Sequence, residues 1–138
     1  MLGYLNLLFV GSLLVVMSEI KVIEMKITKA IKGKRKVVWN NPEIADTVGK
    51  HMKGIMFRKK VEKPVLFVFD REAPVSIHSF FCAPFDIIYI NKFGKVLKTS
   101  GDVAPNTLLP AVRCKYIIEC KPGEIKKKRI KTGDVLSF

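Results

Sequence analysis

The spacing of hydrophobic and polar residues along this chain mostly has the period of two expected of strands. Residues 111–120 alternate cleanly, with Val112, Cys114, Tyr116 and Ile118 on one face and Arg113, Lys115 and Glu119 on the other. Residues 85–90 are apolar on both faces: Phe85, Ile87 and Tyr89 share one parity, Asp86, Ile88 and Ile90 the other. A strand with two apolar faces belongs in the middle of a sheet. Residues 65–69 form an apolar run rich in β-formers, residues 70–74 read as a turn, and residues 75–82 as a second extended segment. Residues 37–39 make a short strand. Residues 20–31 make another, entered through a kink or bulge because the apolar positions change parity between Val22 and Ile23. Residues 91–94 form a turn with Gly94 placed for a positive φ, and residues 95–99 return as its hairpin partner. Residues 100–110, punctuated by Pro105 and Pro110, read as loop, and Gly133-Asp134 turns into a final edge at Val135-Leu136.

One segment has helical spacing. Ile44, Val48 and Met52 recur every four residues, Asn41-Pro42-Glu43 supplies a capping residue, a proline and an acid in the order a helix start favours, and Gly54 follows Lys50, His51 and Lys53. The spacing predicts a helix over residues 42–53. With about seven short strands beside it, the pattern implies a mainly β fold, a small sandwich or barrel whose single helix covers an edge or an end.

Residues 1–17 stand apart because they carry no charged side chain; Glu19 is the first. That length is about the minimum for a membrane span. The run also resembles the apolar part of a signal peptide, although no Lys or Arg precedes it and no small-residue cleavage site follows. If Met17 or Met25 is the true start, the segment is absent altogether. The chain is therefore expected to be membrane-anchored if Met1 is the start and cytoplasmic otherwise. Residues 18–138 form the single folded domain.

Composition adds a strong charge. Of the 138 residues, 25 are Lys or Arg and 12 are Asp or Glu, a net charge of +13. Such a surface attracts nucleic acid, anionic lipid or acidic partners, or is simply a lysine-rich solvated exterior. The run Lys126-Lys127-Lys128-Arg129 could touch phosphate or protect a sheet edge from aggregation. No basic cluster is interleaved with the aromatics that single-strand binding needs. The three cysteines, Cys82, Cys114 and Cys120, do not make a disulfide framework. In a strand Cys114 and Cys120 lie roughly 20 Å apart, too far to bridge. No phosphate loop, dinucleotide fingerprint, nucleophile elbow or Cys/His metal spacing is present, and no cofactor is indicated.

Candidate chemistry centres on Asp86. A carboxylate in a strand with two apolar faces needs a partner, because an unpaired buried charge is costly. Arg58, just past the predicted helix, is the expected one, either on the wall of a ligand cleft or as a structural pair pinning helix to sheet. His78 reads as a partly exposed histidine near a strand end. It would lie about 13 Å from Cys82 in an extended chain, beyond shared coordination, so a zinc site of His51, His78 and Cys82 requires a turn there. Asp134 reads as a turn residue, or as a second carboxylate beside Asp86 with which it could do acid–base work. Glu119, on the polar face of its strand, is expected to pair with a cation across it.

The ordered series Gly54-Ile55-Met56-Phe57-Arg58, Pro84-Phe85-Asp86-Ile87-Ile88-Tyr89-Ile90, Glu119-Cys120-Lys121-Pro122-Gly123 and Gly133-Asp134 resembles an uncharacterised family, domain-of-unknown-function 192, also called uncharacterised protein family 0127. The resemblance runs from about Glu43 to Phe138 and implies a mainly β fold without naming any chemistry. It departs from the family at His78, where many members have methionine followed by Lys-Asn-Thr; here Ser79-Phe80-Phe81 follows. The function expected from the residues is a binding module whose cleft, lined by Arg58, His78, Asp86 and Asp134, takes a small polar or anionic ligand. The alternatives are a basic-surface binder of nucleic acid or membrane surfaces, and a hydrolase built on Asp86 and a second carboxylate.

Overall fold

The computed structural model describes residues 5–10, 13–18 and 25–138. Its strands are β1 (Leu5–Val10), β2 (Leu13–Ser18), β3 (Lys26–Ile31), β4 (Lys34–Asn40), β5 (Glu43–Ala45), β6 (Val65–His78), β7 (Phe85–Ile90), β8 (Val96–Val103), β9 (Leu108–Cys120) and β10 (Leu136–Ser137); helix α1 (Val48–Lys53) follows β5 and helix α2 (Glu124–Lys127) follows β9. A sheet in the order β10-β3-β4 and a sheet in the order β5-β6-β9-β7-β8 carry the domain, and among the described residues β1 pairs with β2 alone. The mainly β expectation holds, and of its two forms the sheets make an open sandwich. Where the uncharged N-terminal run is described it is an antiparallel pair of strands, and among the described residues no helix is long and apolar enough to cross a membrane. The parity change at Val22 and Ile23 lies outside the described residues; a register shift does occur between Ile27 and Thr28.

Two apolar layers flank the larger sheet. Between the sheets, Ile27, Val38, Trp39 and Leu136 pack against Leu66, Ile88, Ile90 and Ile118. On the opposite face, Val65, Phe67, Phe85, Ile87, Tyr89 and Ile117 are covered by Ile55 and Val61 from the chain after α1. Strand β7 lies inside the sheet and every one of its residues is buried, as its two-faced apolar pattern predicts. Burial of a side chain of Ile or Phe size contributes about 1.5–3 kcal/mol, so this strand is a principal source of stability. The turn before β8 depends on Gly94. Its φ is +85°, and a Cβ there would stand 2.2 Å from the Leu136 carbonyl oxygen, which belongs to the strand closing the smaller sheet.

Several elements differ from the sequence reading, a second short helix, α2, among them. Helix α1 starts at Val48, not at Pro42. Glu43–Ala45 instead pairs in parallel with Val65–Phe67, Asn41 takes a left-handed turn (φ 47°), and Thr47 caps the helix by accepting the Lys50 N–H at 3.2 Å. Residues 70–74 are not a turn between strands. They continue β6 through a register shift between Val68 and Ala73, where Lys115 of β9 donates to the Phe69 carbonyl. Finally, strands β8 and β9 invade the expected loop and leave only residues 104–107 to connect them.

Candidate functional site

The expected Arg58–Asp86 pair does not form. Asp86 is 1% exposed, and its carboxylate is satisfied by backbone: Oδ1 accepts from Asp102 N–H at 2.7 Å, and Oδ2 from Gly123 N–H and Ile125 N–H, both at 3.0 Å. Hydrogen bonds from three amides hold a buried carboxylate as well as a cation would. Arg58 reaches Glu43 instead, through Nη2 to Oε1 at 3.0 Å and Nη1 to Oε2. The guanidinium holds the Glu43 carboxyl below its usual range. Asp134 accepts from Lys131 N–H at 2.9 Å and pairs with Lys29 at 3.1 Å, the turn role its position after Gly133 suggests. His78, at the end of β6, is exposed, and its Nδ1 accepts from Phe80 N–H at 3.3 Å. The four residues expected to line one cleft are thus dispersed. Asp86 and Asp134 each serve backbone amides in different turns, which removes the basis for an acid–base pair.

A cleft does exist, and Glu119 is its chemical centre. Strand register sets Glu43, Val65, Glu119 and Ile87 side by side across β5, β6, β9 and β7, so Glu119 points into the apolar layer under α1 and not toward solvent. It is 4% exposed, and its Oε2 has no hydrogen-bond partner. Burial raises its carboxyl from 4.5 to about 8, against a smaller opposing pull from Arg58. At neutral pH it is therefore mostly the uncharged acid, able to donate as well as accept.

The cavity beside it measures about 120 Å³. One wall is the end of α1 and the turn after it, His51 and Lys53 to Met56; the other is Ser76 to His78 at the end of β6, with Phe67 and Cys82. His51 Nε2 lies 2.9 Å from the Val68 carbonyl. A carbonyl can only accept, so Nε2 carries the proton and Nδ1 is left as an acceptor. His78, whose Nδ1 accepts, has its proton on Nε2 by the same logic. Burial pushes the Cys82 thiol up, which keeps it uncharged. His51, His78 and Cys82 all line the cleft, yet among the described residues no three His, Cys, Asp or Glu side chains gather closely enough to hold a metal ion.

Of Arg58, His78, Asp86 and Asp134, then, only His78 lines this cleft, and Glu119 faces the core and not the polar surface expected of it. A signal was present in the strand itself. Ile117 shares the parity of Lys115 and Glu119, so that face is apolar at its C-terminal end.

The fold and site define a two-sheet β domain with one small, partly polar cleft under its first helix. Comparison with known proteins places it further. The model of the DUF192 family, described as an uncharacterized ACR, matches residues 28–138, and the chain belongs to that family. It is 31% identical over 111 residues to a UPF0127 protein of Thermococcus kodakarensis (78% of this chain, 69% of that one) and 28% identical over 105 residues to one of Thermococcus gammatolerans (73% and 69%). Among solved structures it is similar to a protein of unknown function from Novosphingobium aromaticivorans, with TM-score 0.72 and 22% identity over 99% of this chain and 94% of that one. It is also similar to a putative transcription regulator from Sinorhizobium meliloti, with TM-score 0.70 and 20% identity over 86% of this chain and 96% of that one. At these identities the two structures establish the shared fold alone. The motif residues that carry the family likeness divide by role in this structure: Asp86 of β7 and Asp134 of the last turn bind backbone amides, Gly123 N–H among them, whereas Gly54, Met56 and Glu119 line the cleft.

Proposed function

We propose that the protein is a small-molecule binding module and that the Glu119 cleft is its site. The observation that carries this reading is the unpartnered Oε2 of a buried acid in a cavity wall. A buried polar atom without a partner costs about 1–3 kcal/mol, and a ligand group that meets it recovers that cost. The cavity is a little smaller than the roughly 150 Å³ that accommodates a benzene ring, so the group that enters has about half a dozen heavy atoms at most. Lys53 at the wall and Arg58 nearby give the site a positive potential, which favours a polar or anionic head carrying a hydrogen-bond acceptor. The test is a thermal-shift and calorimetric screen of small carboxylates, amides, polyols and sugars against the full chain and its Glu119→Leu variant. Stabilisation by one class that Glu119→Leu removes is the expected result. Failure of every class, or binding indifferent to Glu119, would overturn the reading.

A second reading rests on a different face. A groove of about 480 Å³ runs between β3–β4 and the turn after α2, with Lys36, Lys127 and Arg129 exposed around it and Ile31, Val37 and Val38 among the residues that line it. Ile31 and Val37 are 41% and 43% exposed. Exposed apolar side chains beside a cluster of cations suit an anionic membrane surface better than a single-stranded nucleic acid, for which stacking aromatics are wanted. The uncharged residues 1–17 would add apolar affinity for the same surface.

A further inference from the structure

Phe57 and Phe81 stack on each other, each next in the chain to a residue of the Glu119 cleft. Phe57 follows Met56, Phe81 precedes Cys82, and both Met56 and Cys82 line the cavity. The two rings stack with centroids 5.3 Å apart and planes 24° apart, and Phe57 N–H donates to the Phe81 carbonyl at 2.8 Å. Even so, Phe57 is 74% exposed and Phe81 68%, so the stack contributes little to the core. Both residues are also left-handed, with φ of 62° and 59°. That region is sterically unfavourable for a bulky L-residue, and glycine or asparagine would occupy it more readily.

The turn that presents Phe81 is firmly held. Ser79 is fully buried; its hydroxyl donates to the Ala104 carbonyl at 2.6 Å and accepts Thr107 N–H at 2.8 Å, while Ser79 N–H donates to the Thr107 carbonyl at 2.8 Å. Next to it the Phe80 ring lies 5.2 Å from that of His78, a cleft residue. Two exposed aromatics held at a steric cost, on a fixed turn, beside a cavity with an unmet acid, have the composition of a recognition surface and not of a packing one.

We propose that Phe57 and Phe81 are the platform for the body of the ligand. The ligand class is then a small molecule with a planar apolar ring, which lies against the phenylalanines, and a carbonyl or carboxylate head, which enters the cleft toward Glu119. The proposal rests on the reading of the cleft as a ligand site. It explains how a cavity of about 120 Å³ can serve a ligand larger than itself, since only the head is enclosed.

The test uses four probes on the isotopically labelled full chain, followed by amide chemical shifts: acetamide and acetate carry the head alone, benzamide and benzoate carry the head on a ring. The expected result is about tenfold tighter binding of a ring-bearing probe than of its ring-free counterpart, with shifts at Phe57 and Phe81, and loss of that advantage in Phe57→Ala while the ring-free affinity is kept. Phe57→Gly guards against a folding artefact, because it relieves the left-handed strain; its Tm should hold while the ring preference disappears. Equal affinity of the paired probes, or a preference that survives both variants, overturns the platform and leaves the cleft reading standing. No binding of any of the four overturns the platform, and the cleft reading is then decided by the polyols and sugars of the wider screen. Concentration-dependent self-association abolished by Phe57→Ala would assign the pair to a second copy of the chain and likewise overturn the proposal.

Discussion

Glu119 lies among apolar side chains because strand parity puts it there, and its titration should be visible in the stability of the whole domain. Folding raises its carboxyl from 4.5 to about 8, with burial as the first cause. Below pH 4.5 the acid is protonated in both the folded and the unfolded chain and contributes no pH dependence. Between the two values the unfolded chain releases its proton while the folded chain keeps it, so stability falls as pH rises across that window and levels off above about pH 8. The loss is of order a few kcal/mol. Glu119→Gln copies the neutral acid without its titration. Its Tm should equal the wild-type value near pH 4.5 and exceed it by several degrees at pH 8 or above. Parallel Tm-against-pH profiles for the two proteins would refute the buried, unpartnered carboxyl.

Asp86 acts between elements. From β7 it holds the chain at the end of β8 through Asp102, and it holds the start of α2 through Gly123 and Ile125, supplying the cap that Gly123 itself has no side chain to provide. Asp86→Ala leaves three partly buried amides without their acceptor and should cost about 3–5 kcal/mol. Arg58→Ala breaks a pair whose side chains are 31% and 42% exposed and should cost no more than about 1 kcal/mol. Denaturant midpoints at constant m-value measure both; equal losses would instead favour a direct Arg58–Asp86 dependence. The contrast marks how far the sequence could be read. That Asp86 needed partners in a two-faced apolar strand was legible, because parity and burial are properties of one strand. Which partners it takes was not, because Gly123 and Ile125 approach it only after β9 and the following turn have packed. The same limit explains α1. Asn41-Pro42-Glu43 has local helix-start chemistry, but pairing of Glu43–Ala45 with Val65–Phe67 prevails, and a parallel partner some twenty residues away leaves no mark on local spacing. Within β9, the parity of Ile117 carried the information that Glu119 faces the core, and the charges at Arg113 and Lys115 masked it.

At the scale of the molecule, charge and chemistry fall on separate surfaces. The Glu119 cleft opens beside α1 on one face of the larger sheet, whereas the cationic groove lies at the smaller sheet and α2. Within that groove region the acids are already engaged: Asp134 with Lys29, and Glu124 with the Trp39 indole N–H at 3.1 Å and Lys128 at 4.0 Å. Lys36, Lys127 and Arg129 remain exposed, on a chain of net charge +13. A field of this kind draws the protein to an anionic surface, and each basic side chain at a membrane surface contributes about 1 kcal/mol. Co-sedimentation with phosphatidylcholine vesicles, with and without about a third of phosphatidylglycerol, measures it. Binding should require the anionic lipid and weaken steeply as salt rises through the range where the Debye length drops below about 10 Å. The double change Lys127→Glu and Arg129→Glu should lower the affinity at least tenfold, whereas Phe57→Ala on the opposite face should leave it unchanged. Binding that ignores lipid charge would assign the interaction to apolar contacts alone. Retention on duplex DNA but not on vesicles, lost in the same double variant, would replace the membrane with a nucleic-acid backbone as the partner of this face.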